Sequence, residues 1–165
     1  SYSVTGVQTC ALPICSIKVR GIDARRRDAT PFVKETQLHL LELLAKHEDP
    51  FDGLPSAVKY LRGQVRKLRS GKVPLADLLV KQRLGRKLEA YRTLSPAARA
   101  AFQLKAVGKE LRPGQRVAFL FTLGKPGVHA WDLPERPDPS SVDLARHETL
   151  LIRAAGTGLE TFGLD

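Results

Sequence analysis

Methionine is absent from all 165 positions, the first included, and aromatic residues make up only 6% of the chain, with a single tryptophan among them. A fragment of a longer protein is the simpler expectation for such a chain. Cysteine occurs only at Cys10 and Cys15, which leaves no disulfide framework and no thiolate metal site. His39, His47, His129 and His147 are scattered without metal-ligand spacing, and His147-Glu148 lacks the second histidine of an H-E-x-x-H zinc helix. No apolar run approaches transmembrane length. A nucleophile elbow, a P-loop, a G-x-G-x-x-G unit and a metal-carboxylate cluster are all missing; Gly158 and Gly163 make no phosphate loop because no strand leads into them. A self-contained enzyme is therefore the last of the readings.

What the chain has in excess is positive charge. Lys and Arg number 27 against 17 Asp and Glu, for a formal net charge of +10, which points to a polyanionic partner. The charge is also unevenly placed. Lys59, Arg62, Arg66, Lys67, Arg69, Lys72, Lys81, Arg83, Arg86 and Lys87 face Asp77 alone, whereas the chain from Asp132 onward is rich in acids. Such asymmetry implies one binding face.

The periodicity predicts a helix from about Pro31 to Lys46, started by Thr30 as N-cap and Pro31 at N1, and a second from Ser56 to Ser70 with one apolar and one cationic side. A third helical stretch is expected over Leu75 to Arg92, with Leu78, Leu84, Leu88 and Tyr91 inward and Lys81, Arg83, Arg86 and Lys87 outward. Gly85 in its middle costs about 1 kcal/mol relative to alanine and suggests a kink, a close approach or simple tolerance. Ser95-Pro96 opens a small-residue helix that Gly108 ends. Arg116 to Thr122 and Val128 to Trp131, joined by Gly124-Lys125-Pro126-Gly127, read as a hairpin, with Trp131 covering the core. A last helix is expected from about Ser141 to Glu160. The fold class is thus mainly α with a small β-hairpin, an α+β arrangement.

Between a short strand at Lys18-Val19 and the first helix lies Arg20-Gly21-Ile22-Asp23-Ala24-Arg25-Arg26-Arg27-Asp28. One reading is a solvated turn in which Asp23 and Asp28 pair with the arginines. Two aspartates cannot neutralise three successive arginines, however, and guanidinium groups fixed at a turn suit bidentate contacts with phosphate.

This stretch resembles the [KR]-G-x-x-x-x-R-R-D segment where palm passes into thumb in family B DNA polymerases, and Lys34-Glu35-Thr36-Gln37 resembles the helix that follows it in archaeal members. The likeness continues in order. Lys81 to Arg92 looks like the thumb helix with a basic residue and, five positions on, a tyrosine, here Arg86 and Tyr91. Ser95 to Gly108 looks like the Pro-led, alanine-rich helix, and Arg112-Pro113-Gly114 like the K-P-G turn; Asp143 and Phe162-Gly163 fit the last helix. Gly85 stands where the family has a hydroxyl residue, and Ala97 where a histidine is common, with Arg99 nearby to supply charge. Val4 to Ile14 looks like the in-frame translation of a sequencing adapter.

The resemblance implies a division into an adapter-derived 1–14 outside the fold, the end of the palm at 15–29 and a thumb domain at 30–165. It implies a fragment of a DNA-directed DNA polymerase whose thumb grips primer-template duplex through the backbone and minor groove. Arg20, Gly21, Arg26, Arg27, Arg83, Gly85, Arg86, Lys87, Tyr91 and Arg99 would be the DNA-binding residues. No catalytic residue or cofactor would belong to this fragment, which should be inactive alone; two Mg ions would sit in the parent's palm. The palm, fingers and exonuclease domains and a sliding clamp would be partners, in a cytoplasmic, nucleoid-associated and prokaryotic setting. The alternatives are a free-standing basic helical nucleic-acid-binding protein and a module whose basic face binds an acidic protein.

Overall fold

The computed structural model describes residues 29–164. The expected strand and arginine turn, with Arg20, Gly21, Arg26 and Arg27, and the expected adapter segment lie outside them. Helix α1, Pro31–Ala45, starts where its capping signals place it: Thr30 Oγ1 accepts a hydrogen bond from the Val33 amide at 3.2 Å. Its buried face carries Phe32, Val33, Thr36, Gln37, Leu40, Leu41 and Leu44. A one-turn 3-10 helix at Pro50–Gly53 reverses the chain into α2, Leu54–Arg69. Gly53 is needed there, since a Cβ would stand 2.7 Å from the Leu43 carbonyl oxygen.

The helix expected over Leu75 to Arg92 is not formed. That stretch is a 3-10 turn at Leu75–Leu78, a strand β1 at Val80–Arg83, and a loop with a second 3-10 turn at Leu88–Ala90. The spacing of Val80, Leu84 and Leu88 fits a helix, but Val80 and Leu84 buried around exposed Lys81 and Arg83 fit an alternating strand equally well. What decides is a partner distant in sequence, β2 at Arg116–Phe121, which supplies the hydrogen bonds that β1 would otherwise make within a helix.

Helix α3, Pro96–Ala106, is capped by Ser95 and buries Ala97, Ala98, Ala100 and Ala101, small side chains that let the sheet approach it closely. The expected hairpin is present as β2 and β3, Val128–Ala130, and Gly124 and Gly127 in its turn take φ of 72° and 81°, a region that favours glycine. The sheet is antiparallel in the order β1-β2-β3, with Val80 opposite Phe119 and Phe119 opposite Ala130. Helix α4, Leu144–Thr161, begins at Asp143, whose Oδ1 accepts from the Arg146 amide at 3.1 Å. The architecture is the expected mainly helical α+β one, with one strand more.

A main core joins the sheet and α3 to the start of α1 and to Leu150, Leu151 and Ala154 of α4. A smaller cluster of Leu40, Leu44, Ala57 and Ala155 lies where α1, α2 and α4 meet. Trp131 is half-buried against the main core, with the Arg136 guanidinium 3.9 Å from its ring centroid.

Candidate nucleic-acid interface

Strand β1 sets the geometry of the predicted basic site. Beyond its last residue the pairing with the β2 side continues, because the Leu84 amide donates to Gln115 O at 3.0 Å and the Gly114 amide to Leu84 O at 2.7 Å. Leu84 and Leu88 are both buried, so the exposed residues between them, Gly85, Arg86 and Lys87, ride on a short loop anchored at each end. Tyr91 closes the loop: its Oη accepts from the Gly85 amide at 3.1 Å, and the Arg86 guanidinium lies 5.6 Å from its ring centroid. That distance is within cation–π range. The only heavy atom near the position of a Cβ at residue 85 is Tyr91 Oη, 4.0 Å away, so the space over this residue is open.

The register adds a residue that sequence reasoning did not place in the site. Arg83 lies opposite Arg116, and side chains directly opposite in an antiparallel pair share a face. Lys81, two residues before Arg83, shares that face as well. Both arginines and the lysine are exposed, and like charges so placed repel one another unless an anion bridges them. The signal for Arg116 is visible only once β1 and β2 are paired, some 33 positions apart, as the difference between the two residue numbers shows.

The nearby acid is already engaged. Glu89 Oε1 accepts from Lys105 Nζ at 2.8 Å, and that hydrogen bond is the first cause holding its carboxyl below the usual range, while the Lys105 ammonium is raised in turn. Arg83, Arg86, Lys87 and Arg116 make no ion pair with a carboxylate among the described residues. The result is a cationic sheet edge and a loop anchored by buried Leu84 and Leu88 and by the Tyr91 hydroxyl. Such a surface can bind sugar-phosphate oxygens irrespective of base sequence.

Arg99 belongs elsewhere. It projects from α3 to the hairpin turn, where Nη1 donates to Pro126 O at 2.7 Å and Nε is buried without a partner. Of the expected contacts, then, Arg83, Gly85, Arg86, Lys87 and Tyr91 come together and Arg99 does not join them. No group of three or more His, Cys, Asp or Glu among the described residues could hold a metal ion, and no described helix is long and apolar enough to cross a membrane.

Comparison with known proteins gives a consistent set of likenesses. The model of DNA polymerase family B matches residues 4–150. A DNA polymerase of Desulfurococcus sp. (strain Tok) is 33% identical over 108 residues, which is 66% of this chain and 14% of that protein. One of Thermococcus sp. (strain 9oN-7) is 32% identical over the same length and is covered to 13%. The solved family B DNA polymerase of the hyperthermophilic archaeon Pyrobaculum calidifontis superposes with a TM-score of 0.67 and 25% identity, over 81% of this chain and 18% of that one.

Proposed function

The chain belongs to DNA polymerase family B, and from that premise we propose that residues 30–165 are the thumb of such an enzyme, with 15–29 the end of its palm. The thumb's task would be to hold primer-template duplex while another part of the parent adds deoxynucleotides. The observation that carries this reading is the unbalanced cationic face of Lys81, Arg83 and Arg116 beside the Gly85–Tyr91 loop.

In this reading Arg83, Arg86, Lys87 and Arg116 neutralise phosphates. Gly85 lets a strand of DNA lie against the backbone, and Tyr91 holds the loop and the Arg86 side chain in place. Arg20, Gly21, Arg26 and Arg27, outside the described residues, would add further DNA contacts. Arg99 would act indirectly, by bracing the hairpin turn. The two Mg ions of phosphoryl transfer would be held by palm carboxylates of the parent; the described residues hold no group fit for them. The chain alone should therefore bind DNA without extending it, and its partners would be the parent's palm, fingers and exonuclease domains and a sliding clamp.

The test is titration of labelled primer-template duplex across a salt series. If about five phosphates are neutralised, log affinity falls against log salt with a slope of about −4 to −5. Arg83→Ala and Arg86→Ala should each weaken binding for all sequences alike and flatten that slope by about 1. Binding that is indifferent to salt and to both substitutions would rule the reading out.

A further inference from the structure

A second surface, on the outer side of α2, has a different make-up. An open groove of about 920 Å³ runs between the Pro50–Gly53 turn and α2, lined by Phe51, Val58, Lys59, Arg62, Gly63 and Arg66, with Asp52 and the Leu54-Pro55 step at its upper end. Phe51 is 60% exposed and Val58 36%. A phenylalanine so far out of the core adds little to folding. The Phe51 amide donates to Asp49 Oδ1 at 3.0 Å, which fixes the backbone that carries the ring. Gly63 has no heavy atom within 4 Å of where a Cβ would be, so the floor of the groove is open backbone.

Lys59, Arg62 and Arg66 follow one another at helical spacings of three and four, which sets them along one face over about 10 Å. None of the three makes an ion pair among the described residues, whereas Arg69, on the next turn, is held by Glu148. Three cations against Asp52 leave the groove strongly positive. Charge complementarity favours an anionic occupant, and the exposed ring offers a platform on which a flat apolar group can stack. A base-paired duplex buries its base faces in the stack. An unpaired strand offers both phosphates and open bases, the combination that basic grooves with aromatic platforms bind.

We propose that this groove is a single-strand binding site, in which a base of an unpaired DNA strand stacks on Phe51 and the flanking phosphates lie along Lys59, Arg62 and Arg66. The inference draws on the family of the chain but not on the duplex contacts of β1 and its loop, since the groove shares no residue with them. Gly63 leaves room for the sugar-phosphate backbone to lie against the helix. The site would take a strand of any sequence, because every base has a π face.

The experiment is anisotropy titration of the full chain with fluorescein-labelled oligo-dT of about 12 nucleotides, alongside a fully paired duplex and an oligomer of abasic sites. Phe51→Ala should weaken oligo-dT binding by about thirtyfold, the middle of the range for loss of one base–aromatic stack. It should leave duplex and abasic binding unchanged, and Phe51→Trp should restore the affinity for oligo-dT. Arg86→Ala should act on the duplex alone, so that failure of the duplex reading is visible separately. Unchanged oligo-dT affinity in Phe51→Ala, or equal loss in Phe51→Ala and Phe51→Trp, would overturn the proposal. So would displacement of oligo-dT by poly-glutamate as readily as by unlabelled oligo-dT, an outcome that assigns the groove to an acidic protein.

Discussion

In the layer of α1, α2 and α4, neighbouring elements are tied by single side chains: Gln64 Nε2 donates to Thr36 Oγ1 at 2.8 Å, Gln37 Nε2 to Ala154 O at 2.6 Å, and Arg69 forks onto Glu148 at 2.6 and 2.9 Å. In the layer of the sheet and α3 the ties are backbone ladders, and the free edge of β3 is closed by Gln103, which donates to Val128 O and accepts from the Ala130 amide, both at 2.8 Å. A helix satisfies its own backbone, so its cross-links are additions to apolar packing. A strand has no internal partners, and every link it makes to the next strand is a requirement. The sheet layer should therefore be the less tolerant of the two, although α1 and α4 contribute to its core and the layers should unfold together.

The largest test of that contrast is Phe119→Ala. Phe119 is fully buried on the central strand and meets Phe121 edge-on at 5.5 Å between ring centroids. Truncation should cost about 3–5 kcal/mol, read as a drop in the urea midpoint. Leu44→Ala, equally buried but in the smaller helical cluster, should cost less within the range of about 2–5 kcal/mol for such a change. Trp131, the one tryptophan of the chain, reports the sheet by fluorescence, while circular dichroism at 222 nm reports mainly the helices. Coincident transitions by both probes are expected; separate ones would break the comparison into two independent units.

The joint between the layers carries the next largest effect. His147 of α4 is fully buried, 6.0 Å from the Phe121 ring, with neither ring nitrogen hydrogen-bonded. Burial, above all, pushes its imidazole down to about 4; Arg146 adds to that and Asp143 opposes it. Because the folded state holds this histidine neutral, the unfolded chain binds the extra proton between its ordinary pKa of about 6.5 and 4. The stability it contributes is thus complete above pH 6.5 and is lost progressively as pH falls to 4, by about 3 kcal/mol in all. His147→Leu should flatten the stability profile over that window in urea titrations at pH 7, 6 and 5. A profile equally steep in the variant would place the acid sensitivity elsewhere.

The same contrast governs what could be read from the sequence. Helices α1, α3 and α4 announce themselves through signals a few residues apart: Thr30-Pro31, Ser95-Pro96, Asp143 and apolar spacings of three and four. The hairpin is legible because its glycine-bearing turn is local. Strand β1 is not, since Val80, Leu84 and Leu88 satisfy a helical period and the residues that make it a strand begin at Arg116. The candidate site inherits this division. Arg86, Lys87 and Tyr91 were recognisable as a local motif, but the closure of the loop by Tyr91 and the apposition of Arg83 to Arg116 depend on the fold. Phe51 has no periodic or motif signal of its own in the sequence, and only its exposure beside α2 makes it a candidate.

Two glutamines, Gln37 fully buried and Gln103 half-buried, offer a comparison of intermediate size. Gln103→Leu would leave Val128 O and the Ala130 amide unpaired at the strand edge, at a cost of about 2 kcal/mol, within the range for orphaned backbone groups. Gln37→Leu removes a bond to a helix carbonyl that also lies within the α4 ladder, so the cost should be nearer 1 kcal/mol. Equal costs in urea denaturation would mean that the helical layer depends on its side-chain links as heavily as the sheet does.

The smallest effect has the opposite sign and bears on the helical layer alone. Gly156 lies inside α4, and nothing stands within 4 Å of the position a Cβ would take. Gly156→Ala removes freedom from the unfolded chain without a clash, and should raise stability by about 0.5–1 kcal/mol. Gly158, two residues on, faces Leu41 Cδ2 at 3.6 Å and Gln37 Cγ at 3.7 Å, ordinary contact distances, so Gly158→Ala should also be accepted. Gly53 is the counterexample, because a methyl group there would press on the α1 backbone. Thermal melts of the three alanine variants should therefore rank Gly156 highest and Gly53 lowest. A destabilised Gly156→Ala would mean that the last turns of α4 need their flexibility, and that the helical layer is less tolerant than its side-chain links suggest.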